Sequence, residues 1–119
     1  MTKEQALYQF FSGFGLKAYP ISSVPEDVIF PYLTYENVIG CFGDQVAVTV
    51  NLWYHTDSER VLNANAEEIA EKIGRGGIQI AYDTGSIWIR RGTPWSTGLS
   101  DESDAKIKRR MLNIVIEYM

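Results

Sequence analysis

Between residues 46 and 54 apolar and polar positions alternate without a break. Val46, Val48, Val50, Leu52 and Tyr54 fall on one side, and Ala47, Thr49, Asn51 and Trp53 on the other. Successive side chains of a strand point to opposite faces, so this spacing predicts a strand with one face in the core. Residues 111–119 repeat the pattern, with Leu112, Ile114, Ile116 and Tyr118 against Met111, Asn113, Val115 and Glu117. They predict a last strand inside the sheet. Pro31 leads into Tyr32-Leu33-Thr34-Tyr35, aromatic and β-branched residues that favour a strand, and residues 40–44 read as the turn that closes it. Two further strands, residues 78–82 and 86–90, flank Asp83-Thr84-Gly85, a three-residue connection suited to an antiparallel hairpin.

Two segments change to a helical period. Residues 2–11 offer Thr2 as an N-cap, Glu4 in the first turn, apolar Ala6, Leu7, Phe10 and Phe11 at helical spacing, and Gly13 as a stop. Thr56 and Glu59 have the spacing of a capping box, and a helix follows to Ile73 with Leu62, Ala66, Ile69, Ala70 and Ile73 on one face. Gly74 ends it. Residues 16–21 read as a brief extended piece, and residues 22–31, with two prolines, as a surface loop. Residues 92–106 hold Pro94, Gly98, several serines and the acids Asp101, Glu102 and Asp104, which predict a long exposed loop. The fold class expected is α+β: a mostly antiparallel sheet with helices packed on one face.

Composition narrows the function. At 119 residues and 45% hydrophobic the chain is one domain with a core of its own. A net charge of -4 argues against broad contact with a nucleic-acid backbone, which requires a basic patch. The single cysteine, Cys41, can form no internal disulfide, which fits a reducing cytoplasm. No apolar run approaches the roughly 20 residues that span a bilayer, so no membrane is expected.

Catalytic chemistry finds few members. His55 is the only histidine and has no second histidine or cysteine near it, so it reads as solvent-facing or locally hydrogen-bonded. Cys41 sits between Gly40 and Phe42-Gly43 with no neighbouring base. Gly74-Arg75-Gly76-Gly77 follows a helix, whereas a phosphate-binding glycine loop opens one. Glu67, Glu68 and Glu71 read as a solvated helix face. These patterns predict no enzyme, no cofactor and no metal.

Interaction chemistry is better represented. Lys106, Lys108, Arg109 and Arg110 form the one basic run, and Arg90 and Arg91 would lie near it if the hairpin pairs beside the last strand. Together they could hold the acidic segment around Asp101, Glu102 and Asp104, of this subunit or a neighbour, or touch DNA; they could equally be charges that protect a strand from edge aggregation. The chain has three tryptophans, seven tyrosines and five phenylalanines. Trp95 in the expected loop and Trp53 on the polar strand face stand where no core is expected, and so are candidate interface anchors.

The segments Pro31-Tyr32-Leu33-Thr34-Tyr35 and Val50-Asn51-Leu52-Trp53-Tyr54, and the helix from Ser58, resemble those of small bacteriophage tail terminator (tail completion) proteins. So does Arg91-Gly92-Thr93-Pro94-Trp95, followed by an acidic loop and the basic last strand. The resemblance covers most of the chain from Pro31 onward. It implies a non-catalytic subunit whose homo-oligomeric ring, a hexamer, caps the head-proximal end of a tail tube and stops its polymerisation. Its partners would be other copies of itself, the tail tube protein and a neck or head-completion protein, with DNA met only by passage through the lumen. Such a protein is assembled in the bacterial host cytoplasm and ends in the virion tail. Alternatives are another head-tail joining protein, a small ligand-binding or enzymatic domain with its pocket between the helix at 58–73 and the sheet, and a monomeric adaptor binding through Trp95.

Overall fold

The computed structural model describes residues 1–100 and 103–119. Helix α1 (Lys3–Phe11) is followed by strands β1 (Lys17–Pro20), β2 (Tyr32–Tyr35) and β3 (Gln45–His55), then helix α2 (Arg60–Ile73). Strands β4 (Ile78–Tyr82), β5 (Gly85–Ser100) and β6 (Ile107–Tyr118) complete the chain. All six strands join one sheet in the order β1-β2-β3-β6-β5-β4. Among the described residues only the β1–β2 pair is parallel. The fold is α+β, as the patterning predicts, and the last strand lies at the centre.

The alternation in β3 and β6 works as expected. Val50 pairs with Leu112 and Val48 with Ile114, and these side chains are buried on the face that both helices cover. Leu62, Ala66, Ile69 and Ile73 of α2 and Leu7, Phe10 and Phe11 of α1 complete the core. Burying each large aliphatic or aromatic side chain contributes about 1.5–3 kcal/mol, so this single layer carries the fold. Helix α1 touches both edge strands, β1 and β4, while Phe11 stacks on Tyr35 at 4.8 Å. The sheet is therefore curled enough for one helix to reach its two edges.

Local sequence explains the helix ends. The Thr2 hydroxyl accepts from the Gln5 amide at 3.2 Å, and the Gln5 side chain accepts from the Thr2 amide at 2.9 Å, a reciprocal cap. The helical path outlasts the expected stop at Gly13 by a single turn, Ser12–Phe14, and ends at Gly15, whose φ of 82° lies in the left-handed region. The Phe14 ring, 5.4 Å from Phe10, is held by that extra turn. The capping box expected of Thr56 and Glu59 does not form. The Thr56 hydroxyl accepts from the Ser58 amide, the Ser58 hydroxyl from the Arg60 amide, and the Glu59 carboxylate reaches Arg110 at 3.4 Å instead.

Two boundaries differ more. Tyr82 pairs with Gly85, so the hairpin turns on Asp83-Thr84 alone. Gly85 is required by crowding, because a Cβ there would collide with the Met119 carbonyl oxygen. The loop expected over residues 92–106 is strand as far as Ser100. Its polar residues suit a strand because β6 offers backbone partners, and the irregularity is confined to a bulge. Arg91 pairs with Ile114 and Ser96 with Leu112, so four residues including Pro94 lie opposite Asn113 alone. A Cβ on Gly92 would come within 2.9 Å of the Asn113 Cβ, and the Asn113 side-chain amide donates to the Pro94 carbonyl at 2.6 Å.

Candidate functional site

Both helices lie on one face of the sheet, so no helix covers the opposite face. Residues from four strands cross that open face in register. Tyr32 of β2 pairs with Trp53 of β3, Trp53 with Arg109 of β6, and Arg109 with Leu99 of β5. The Tyr32 and Trp53 rings stack at 5.9 Å with 10° between their planes, and the Arg109 guanidinium lies 5.3 Å from the Trp53 ring. The Trp53 indole N–H donates to the Thr34 hydroxyl at 2.9 Å, which fixes the ring's direction. Leu99, Ser100, Ile107, Arg109 and Trp53 line a small cleft of about 210 Å³ at the end of this row. Half-buried Trp53 and Arg109, backed by buried Tyr32, are side chains of the types that anchor interfaces and stand together on a rigid support.

Trp53 is where the alternation predicted it. Trp95 is not: it stands in β5 and packs, partly buried, against the core, and its buried indole N–H has no hydrogen-bond partner among the described residues. Pro94 is exposed on the bulge. Asp101 and Glu102 lie outside the described residues. Asp104 Oδ2 is 3.1 Å from His55 Nε2 and its Oδ1 accepts from the Lys106 amide, so His55 is a member of a surface pair.

The basic residues do not form one patch. Arg90 pairs in register with Val115 and Arg91 with Ile114, five or more positions along β6 from Arg109. At about 3.4 Å per residue this separates them from Arg109 by roughly 17 Å or more. Arg90 instead lies 4.1 Å from the Trp88 ring and 3.4 Å from Glu117. Adjacent residues of β6 face opposite ways, so Arg110 turns to the helix side, where it meets Glu59 and the Asn63 side-chain oxygen, while Arg109 stays on the open face. Lys108 donates to the Ala105 carbonyl at 2.8 Å. Sequence spacing makes Lys108, Arg109 and Arg110 neighbours along β6, but it leaves open which face each occupies and how far they lie from Arg90 and Arg91.

Among the described residues no group of three histidine, cysteine, aspartate or glutamate side chains could hold a metal ion, and no helix is long and apolar enough to cross a membrane. Burial raises the hydroxyl pKa of Tyr32, Tyr35, Tyr54 and Tyr118 above the ordinary value of 10.0, so all four stay neutral at physiological pH.

Two exposed apolar positions escaped the sequence reading. Phe42 is 83% exposed and Ile29 82%, against 54% for Ile21, the next among the large hydrophobics. The signal for Phe42 was an aromatic residue set between glycines in a turn, where polar side chains are usual. No protein-family model matches the chain, and no curated protein matches it either.

Proposed function

We propose that this protein is a non-catalytic, ring-forming subunit of the tail terminator kind, which caps the head-proximal end of a phage tail tube. The row Tyr32, Trp53, Arg109 and Leu99 on the helix-free face carries this reading. A cross-strand ladder of Tyr, Trp and Arg supplies an interface core whose geometry is set before any partner arrives, so little conformational entropy is lost on association. Of the sheet residues of the resemblance, Tyr32 to Tyr35 form β2, and Val50 to Trp53 are the part of β3 that pairs with it. In this reading the ring is a hexamer of identical subunits in heterologous contact, which closes and so can end an open-ended tube. One rim meets the tube protein, the other a neck or head-completion protein, and DNA passes through the lumen of the finished virion.

Negative-stain microscopy of the purified protein, with and without the tube protein of the same gene cluster, tests the proposal. Rings, or tubes of fixed length capped at one end, support it. Tubes that grow without limit in the presence of the protein overturn it.

A further inference from the structure

The loop between β2 and β3 is built rigidly around a side chain that touches almost nothing. The Cys41 amide donates to Asp44 Oδ2 at 2.7 Å, and the Asp44 amide to the Cys41 carbonyl at 2.9 Å. Next to them the Gly43 amide donates to the Tyr118 carbonyl at 2.7 Å, and the Tyr118 amide to the Asp44 carbonyl at 3.0 Å. Lys3 Nζ donates to the Gly40 carbonyl at 2.8 Å, and the buried Tyr118 hydroxyl to the Val38 carbonyl at 2.6 Å. Gly43 has a φ of 87°, and a Cβ on Gly40 would come within 2.9 Å of the Tyr118 ring. All of this order holds Phe42 out in water, which opposes folding stability and favours binding.

The complementary feature lies at the other end of the molecule. Residues 24–31 and β1 enclose a mainly apolar cleft of about 430 Å³, lined by Leu16, Tyr19, Val28 and Phe30 with Lys17 and Asp27 at its margin, and with the exposed Ile29 on its wall. Phe30 packs on Tyr32 at 5.4 Å and lies 5.9 Å from His55, at the far end of β3. Strand β3 has 11 residues, so the Phe42 knob and this cleft are about 34 Å apart and cannot meet within one chain.

We infer that Phe42 of one copy inserts into the cleft between β1 and residues 24–31 of a second copy. The occupant is a second copy because the two most exposed large hydrophobic residues described, Phe42 and Ile29, stand on a projecting turn and on the wall of a cleft at opposite ends of the same chain. Two different patches of one chain in contact make the heterologous joint that a ring needs. The inference rests on the ring reading above and specifies one of its contacts.

Cys41, exposed beside Phe42, allows a direct test. Wild-type protein carries a thiol only beside the knob, and a C41S/I29C double variant only beside the cleft. A tagged and an untagged form are treated with a short bis-maleimide, separately and mixed. The contact predicts a cross-linked dimer of one of each in the mixture, and none in either protein alone. No mixed product, or equal products in the single samples, overturns it. The native mass separates the two proposals: a mixed product from a protein that is only a dimer keeps the contact and removes the ring, whereas a hexamer without the product removes the contact alone. Phe42→Ala is expected to weaken self-association at least about 30-fold, the loss typical of a buried aromatic anchor. Its monomer should melt as wild type does, since the side chain is 83% exposed.

Discussion

Replacing Tyr118 by phenylalanine removes one oxygen from the place where the β2–β3 loop is tied to the sheet. The ring is fully buried and packed against Gly40, so the phenyl group keeps the packing, and what is lost is the hydroxyl's hydrogen bond to the Val38 carbonyl and its contact with the Gly40 backbone. A net hydrogen bond is worth about 0.5–1.5 kcal/mol, and stranding a buried partner up to about 3. Val38 is 39% exposed, so water can reach its carbonyl and the lower figure, about 1 kcal/mol, applies. At about 2.1 cal/mol/K per residue, the unfolding entropy of 119 residues is about 0.25 kcal/mol/K, which makes the expected fall in Tm about 4 °C. The pH dependence has a definite sign. Burial raises the Tyr118 pKa above 10.0, so the stability contributed by its neutral form is complete below the unfolded value and is lost as pH rises through the folded one. The Tyr118→Phe variant has no hydroxyl to ionise at this position, and should lose stability less steeply than wild type above pH about 10. Calorimetry at pH 7 and denaturant titration across the alkaline range measure both effects. A variant that melts within about 1 °C of wild type and shows the same alkaline slope would refute the role assigned to this hydroxyl.

Gly85→Ala is expected to cost about 1–3 kcal/mol in urea unfolding, because its Cβ must displace the backbone at Met119; an unchanged midpoint would show that the backbone there yields freely. Trp95→Phe removes an indole N–H that has no partner among the described residues and also part of a ring packed on the core, so the net loss should stay below about 2 kcal/mol, and a larger one would reveal a partner for that group. Arg109→Glu changes a residue whose described contact is the Trp53 ring, so the monomer should keep its stability within about 0.5 kcal/mol while ring formation, scored by microscopy, is lost. Normal rings from that variant would remove the open-face row from the interface.

Legibility in the sequence followed the strength of local pattern. Strands β3 and β6 and helix α2 are plain because their apolar periods reflect burial on one face, and Thr2 with a glutamine three residues on makes a strong helix start. The outer half of β5 reads as loop because Ser96, Thr97, Gly98 and Ser100 carry no period. Only a neighbour distant in sequence, β6, makes that segment a strand. The same limit applies to the site. Trp53 can be placed on the right face from alternation, but its alignment with Tyr32, Arg109 and Leu99 depends on register across four strands. Trp95 reads as a surface residue because its surroundings in sequence are polar, while a bulge turns it onto the core.

The central place of β6 also governs how the protein can come into being. Gln45 is bonded in register to Glu117, and β3 and β5 have no contact in the sheet except through β6. During synthesis, β1 to β3 and the β4–β5 hairpin must wait as separate halves, each with an apolar face open, until β6 leaves the ribosome. Acquisition of the native state then resembles closing a latch: it is set by pairings distant along the chain, a topology that folds more slowly than a helical bundle. For that interval the nascent halves are the form most exposed to aggregation and to chaperones.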